Sequence, residues 1–318
     1  MSGAYAVGEG SQEGHPTLVL VSQAGELEAA FAPGAGMVGC SLRHRGEELL
    51  GQRGGLAKYA EQGSSMGIPL LHPWANRLAS LEYSVDGRVV RLDPDATPLR
   101  LDPQGLPIHG LATASPYWEV TAAEADDAGA RLRADLDFAA HPELLAGFPF
   151  PHRLEAEVML SGRTLSVQTT LVATGERPVP VAFGYHPYLG LPGLPRPDWR
   201  VTLPVRRRAR LDERGIPTGE TEPAAMESGP LGERGFDDLF VELYHPPEFL
   251  LEGAGRRIEV RFEQGYPCAQ VYGPPEEEHV CFEPMTAPTN ALVSGSGLRL
   301  VPPGGRYVAC FSICVLAV

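Results

Sequence analysis

Two segments bring ionisable side chains to the ends of apolar, strand-like runs. In Val280-Cys281-Phe282-Glu283-Pro284-Met285-Thr286, Glu283 closes an apolar strand and is held there by Pro284. A carboxylate in that position costs free energy unless it is paired or used, and burial raises its pKa and makes it a stronger base than a surface glutamate. In Ala182-Phe183-Gly184-Tyr185-His186-Pro187-Tyr188-Leu189, an apolar strand runs into His186 and Pro187 stops the ladder. An imidazole at a sheet rim, between aromatics, can donate or accept a proton near neutral pH.

Three further segments offer polar contacts. Gly67-Ile68-Pro69-Leu70-Leu71-His72-Pro73-Trp74-Ala75-Asn76-Arg77-Leu78 reads as a fixed loop on the core. Either Arg77 bonds carbonyls there, or it aims a rigid fork of donors at ligand hydroxyls with Trp74 as an apolar wall. Ile108-His109-Gly110 lets backbone approach a ligand closely, although a lone histidine reads first as a structural residue. Asp237-Asp238 before an apolar run is a solvated turn or a hydroxyl-binding carboxylate.

Other chemistries lack their motifs. The chain has no phosphate-binding P-loop, no dinucleotide glycine fingerprint, no Cys-x-x-Cys, no histidine pair at metal spacing and no usable nucleophile elbow, so neither cofactor nor metal is expected. The formal net charge of −14 disfavours nucleic acid and anionic membrane surfaces and suits a neutral ligand. One basic run, Arg206-Arg207-Arg208-Ala209-Arg210, reads as a solvated strand or edge, with a phosphate patch as the alternative. Met1 to Pro16 does not read as a secretory start, and Val308 to Val318 is too short to span a membrane and reads as a buried strand. Five cysteines without metal spacing point to free thiols in a cytoplasmic protein, with Cys310 and Cys314 on one face as core residues.

The elements that must position these residues are strands. Leu154–Leu160 and Leu165–Val172 alternate around Ser161-Gly162-Arg163-Thr164 as a hairpin, and Leu81–Leu92 reads as another around Asp86-Gly87. Helix is expected only in short pieces, at 52–62 and 142–146. The 37 glycines and 31 prolines, without a repeat, punctuate many short strands. Together they predict an all-β protein, a large antiparallel β-sandwich or barrel with few short helices, as a single domain over 1–318. Residues 1–15 are expected to be flexible, and 187–197 and 217–230 to be long loops.

In their order along the chain, Pro73-Trp74-Ala75-Asn76-Arg77-Leu78, Ile108-His109-Gly110, Gly184-Tyr185-His186-Pro187-Tyr188-Leu189, Phe236-Asp237 and Phe282-Glu283-Pro284 resemble the aldose 1-epimerase (galactose mutarotase-like) family. The resemblance implies a large β-sandwich with an open cleft for a monosaccharide and no cofactor. It implies Glu283 as catalytic base, a protonated His186 as catalytic acid, and Arg77, His109 and Asp237 as sugar-hydroxyl ligands, with Asn76 a lesser companion. It implies an isomerase that interconverts α and β anomers of a free aldohexose, as a monomer or homodimer. The chain carries Glu283-Pro284-Met285 where well-known members carry Glu-Thr-Gln, and Asp237-Asp238 where many carry Asp-His, which leaves the sugar open. Two alternatives share the fold: a catalytically silent carbohydrate-binding protein and a hexose-6-phosphate epimerase. A glycoside-cleaving enzyme would need a second carboxylate facing Glu283, with Asp237 or Asp238 as candidates.

Overall fold

Alternating burial builds the structure, a computed structural model that describes residues 4–318. The hairpin His152–Ser161 and Thr164–Ala173 pairs in continuous register. Leu154, Ala156, Val158 and Leu160 are buried, while the residues between them are partly exposed. This is the period-two pattern of a sheet with one wet face. At the second expected hairpin, Glu82–Val85 and Arg88–Arg91 turn through Asp86 at φ 51° and Gly87 at φ 71°. Two successive positive φ values define the tight turn that matches strand twist.

Two large sheets dominate. The nine-stranded sheet runs through Glu227–Pro230, Arg200–Leu203, Glu248–Gly253, Arg256–Gln264, Arg306–Ala317, Thr164–Ala173, His152–Ser161, Ala130–Asp137 and Glu119–Ala125. The eight-stranded sheet runs through Pro217–Pro223, Val205–Leu211, Phe236–Leu243, Cys268–Gly273, Val280–Met285, Gly184–Tyr185 and Leu70–Leu71, and Tyr188–Leu189 pairs on Val280–Met285. They pack face to face. Phe282 stacks on Phe249 at 5.2 Å, Tyr185 lies 5.0 Å from Phe311, and the Tyr185 and Thr169 hydroxyls meet at 2.7 Å. The pairing within both sheets is antiparallel, so the predicted all-β antiparallel sandwich is the observed architecture. The α-helices among the described residues are Gly55–Gln62, Pro142–Gly147 and Ala291–Ser294. No helix among them is long and apolar enough to cross a membrane.

Several local expectations change. The segment expected to be flexible at 1–15 contains the strand Tyr5–Gln12, paired along its length with His15–Ser22 in a five-stranded sheet; residues 1–3 lie outside the described residues. Its mixed small and polar residues conceal a strand whose partner supplies the apolar side. The expected loop at 217–230 is two strands, Pro217–Pro223 and Glu227–Pro230, at the edges of the two sheets, where proline and glycine are tolerated. The basic run is the strand Val205–Leu211, one in from that edge. Arg208 pairs with Glu222 and Asp238, Arg210 with Glu220 and Glu222, and Arg206 and Arg207 with Glu242, which leaves it no role as a phosphate patch. Cys310 and Cys314 do share a face of Arg306–Ala317, but it is the half-exposed face; Ala309, Phe311 and Ile313 fill the core.

Phe311 sits mid-sheet, fully buried against Tyr185 and Tyr266. Phe311→Ala is expected to cost about 3–5 kcal/mol, whereas Val89→Ala, at an exposed hairpin position, is expected to stay within about 0.5 kcal/mol. Urea denaturation of both variants checks the contrast.

Candidate active site

Period-two alternation also delivers the ionisable residues. Phe282 and Tyr185 point into the sandwich, so their neighbours Glu283 and His186 point to the opposite face of the eight-stranded sheet. There they meet: His186 Nε2 lies 3.3 Å from Glu283 Oε1. His186 is 5% exposed and Glu283 1%. Glu283 Oε2 and His186 Nδ1 have no hydrogen-bond partner. Pro187 does interrupt pairing, but only briefly. The next residue, Tyr188, stacks on the imidazole at 4.3 Å and 6°, with its hydroxyl 3.3 Å from Nε2.

The other predicted residues converge on the same cavity, of about 420 Å³. Asn76, Arg77, His109, His186, Asp237 and Glu283 all line it. Arg77 donates through Nε to Asp102 Oδ2 at 2.7 Å and through Nη1 to Asn76 Oδ1 at 3.2 Å. Gly215, at φ 74°, lets a loop close over this fork: an added Cβ would lie 3.1 Å from Arg77 Nη1. Asp237 accepts from Gln270 Nε2 at 2.6 Å, and Gln270 is the cross-strand partner of Glu283. The His109 ring stands 5.6 Å from the His186 ring. Both Asn76 (φ 56°) and His109 (φ 62°) hold left-handed backbone, joined by the His109 N–H to the Asn76 carbonyl at 2.9 Å. Such strain persists only where the surroundings impose it.

Two expectations are revised. Gly110 serves a backbone contact rather than a ligand, since its Cβ would fall 2.2 Å from the His72 carbonyl oxygen. Trp74 is buried in the core and does not wall the cavity. Burial, reinforced by His109, His279 and Arg53, holds the His186 pKa well below the ordinary value. Burial, with Asp237 adding repulsion, pushes Glu283 well above the usual carboxylate range, against the pull of Arg77. Burial thus disfavours the charged form of both partners. Asp237 is also raised, mainly by burial. For Asp102, burial is outweighed by the Leu106 and Gln104 N–H groups and Arg77, which hold it below its usual value.

Sequence reasoning missed Arg53, Arg100, Asp102, Gln270 and Tyr272 as neighbours of the site. Gln270 left a signal, a lone amide inside the apolar strand Cys268–Gly273. Arg53, Arg100 and Asp102 sit in loops, and Tyr272, on that same strand, reads as one more aromatic of an apolar run.

The model of the aldose 1-epimerase family matches residues 19–314. The chain belongs to that family. It is 25% identical over 280 residues to YihR, an uncharacterized protein of Escherichia coli strain K12, covering 81% of this chain and 86% of that one. A galactose mutarotase-like protein of Clostridium acetobutylicum has the same fold at TM-score 0.85, with 18% identity and 99% of both chains covered. Galactose 1-epimerase of Lactobacillus acidophilus has it at TM-score 0.79, with 15% identity and 99% of both chains. Membership of this family and the mutarotase-like fold are thus shown together.

The buried histidines predict acid sensitivity. His152 and His279 are each held neutral by burial, down to about 4. The unfolded chain binds a proton at each below about pH 6.5 while the folded chain does not. Stability is then present above that pH and lost as pH falls toward 4, at about 1.4 kcal/mol per pH unit per histidine. Glu283, Asp237 and Asp135, raised in the fold, work in the opposite sense, but they are fewer than the histidines, since His44, His72, His109 and His186 are lowered too. Denaturant midpoints are expected to be lower at pH 5 than at pH 7.5; an equal or higher midpoint at pH 5 contradicts this.

Proposed function

We propose that the protein is an aldose 1-epimerase that interconverts the α and β anomers of an aldohexose in this cavity. The observation that carries the reading is the 3.3 Å contact of Glu283 and His186 inside a polar hollow. An aldose opening its ring needs one group to remove a proton from the anomeric hydroxyl and another to protonate the ring oxygen.

In this reading the pair rests neutral, with one proton on the carboxyl, which is the proton count required. A sugar entering the hollow places hydroxyls against the carboxyl, and Arg77 favours the charged form electrostatically. The proton moves from Glu283 to His186 Nε2. The carboxylate takes the anomeric proton, the C1–O5 electron pair goes to the ring oxygen, and the imidazolium protonates that oxygen. Glu283 is then protonated and His186 neutral, which is the resting state again. The aldehyde rotates about C1–C2, and the same steps in reverse close the ring on the other face. Atoms and charge balance without an external acid, base or oxidant. Arg77 and His109, held by Asp102, Asn76 and the Ile108–Gly110 backbone, serve as hydroxyl ligands and stabilise charge on oxygen. Asp237 and, as a lesser companion, Asn76 accept from or orient the remaining hydroxyls.

Each positioned acid or base contributes about 10²–10⁴-fold. Glu283→Gln is expected to abolish catalysed mutarotation of fresh α-glucose or α-galactose, followed by polarimetry, with the fold intact. His186→Ala is expected to lower kcat by about 10²-fold or more, with a smaller change in KM. Full activity in Glu283→Gln removes the carboxyl from the mechanism, and a pure KM effect in His186→Ala makes the imidazole a binder. A wild-type protein that binds aldoses without accelerating their mutarotation is the silent carbohydrate-binding protein.

A further inference from the structure

The segment that follows Glu283 ends on an asparagine whose geometry its own helix does not explain. Asn290 precedes the short helix Ala291–Ser294, and its carbonyl accepts from the Val293 and Ser294 N–H groups at 3.1 and 2.9 Å. An asparagine in that place ordinarily holds extended backbone and turns its side chain onto a free N–H of the first turn. Asn290 does neither: its φ is 68°, and its side chain caps nothing in the helix. It is also buried, so both the left-handed backbone and the enclosed amide need a cause.

The cause lies across the fold, in the loop that carries Arg77. The Asn290 N–H donates to the Arg77 carbonyl at 3.0 Å, and Asn290 Oδ1 accepts from the Ala79 N–H at 2.8 Å. One residue thus grips the loop backbone on both sides of Leu78. The other edge of the loop is tied to the His109 segment, with the Leu78 N–H on the Pro107 carbonyl and the His109 N–H on the Asn76 carbonyl, both at 2.9 Å. Asp102 and Asn76 fix where the guanidinium points; Asn290 fixes where the Arg77 backbone stands. Between Glu283 and Asn290 the chain is itself stitched down. Thr286 gives its N–H and its hydroxyl to the Phe183 carbonyl, at 2.9 and 2.8 Å, on the strand that leads to His186. The base, the imidazole and the arginine are therefore all referred to one stretch, 283–290.

We propose that Asn290 is a positioning residue for the reaction. It does not line the cavity, and it acts by placing Arg77 against the Glu283–His186 pair. The inference rests on the reading that Arg77 is a ligand of the sugar in that cavity.

Asn290→Gly and Asn290→Asp separate the clamp from the backbone. Glycine adopts this left-handed backbone freely and removes only the side-chain acceptor; aspartate keeps the acceptor and tolerates the same backbone. With glucose anomer exchange followed by NMR, Asn290→Gly is expected to lower kcat/KM by about tenfold or more, and Asn290→Asp to recover it to within about threefold of wild type. On an Arg77→Ala background, Asn290→Gly is expected to cost less than about twofold, because the residue through which it acts is gone. The Arg77 Nε–H, assigned in ¹H–¹⁵N spectra by its loss in Arg77→Ala, reads the placement without any sugar. It is expected to exchange with solvent about tenfold faster or more in Asn290→Gly than in wild type. Unchanged exchange in Asn290→Gly overturns the inference. An equal loss of kcat/KM with and without Arg77 overturns it too, and makes Asn290 a merely structural residue. Faster Arg77 exchange in a protein that turns over no sugar upholds the clamp and overturns the epimerase reading instead.

Discussion

Desolvation of one carboxyl–imidazole pair governs this site. Burial works against charge on both partners, so neither can ionise independently at rest. Because they touch, a proton can pass between them without leaving for solvent, and in the proposed mechanism their joint charge stays at zero. A surface glutamate and a surface histidine at the same separation would titrate separately and spend most of their time in protonation states of no use to the proposed ring opening. The cost of burying the pair is least when it is neutral, and in the proposed mechanism that neutrality makes the two ends of the cycle chemically equivalent.

The sandwich supplies that burial as a by-product of strand alternation. Phe282 and Tyr185 anchor their strands in the inter-sheet core, which commits Glu283 and His186 to the other face. A one-residue slip in either strand would exchange an aromatic for an ionisable group in the core, so register is strongly specified. The loops then close the hollow from above. The left-handed backbones of Asn76 and His109 bring the Arg77 and His109 side chains to the same cavity as strands distant in sequence.

Much of this was legible in the chain. The hairpin at 152–173 announces itself by alternation, and His186 and Glu283 by ending apolar runs beside prolines. Strands such as Tyr5–Gln12 and Pro217–Pro223 were not legible, because edge strands need no continuous apolar face and tolerate proline and glycine. Trp74 misled because an aromatic beside polar residues suggests a ligand wall, while its ring is used to anchor the loop in the core. The protonation of the pair was hidden for a different reason. It depends on how fully both groups are buried and on which charges surround them, and residue types alone carry neither quantity.

The resting protonation of His186 is the most direct test. In ¹⁵N NMR of the free protein, with the His186 signals assigned by their loss in His186→Gln, the imidazole is expected to stay neutral from pH 8 to pH 5. It is expected to move toward imidazolium when the cavity is saturated with sugar. A His186 that titrates near its ordinary value in the free protein, indifferent to sugar, would contradict the account.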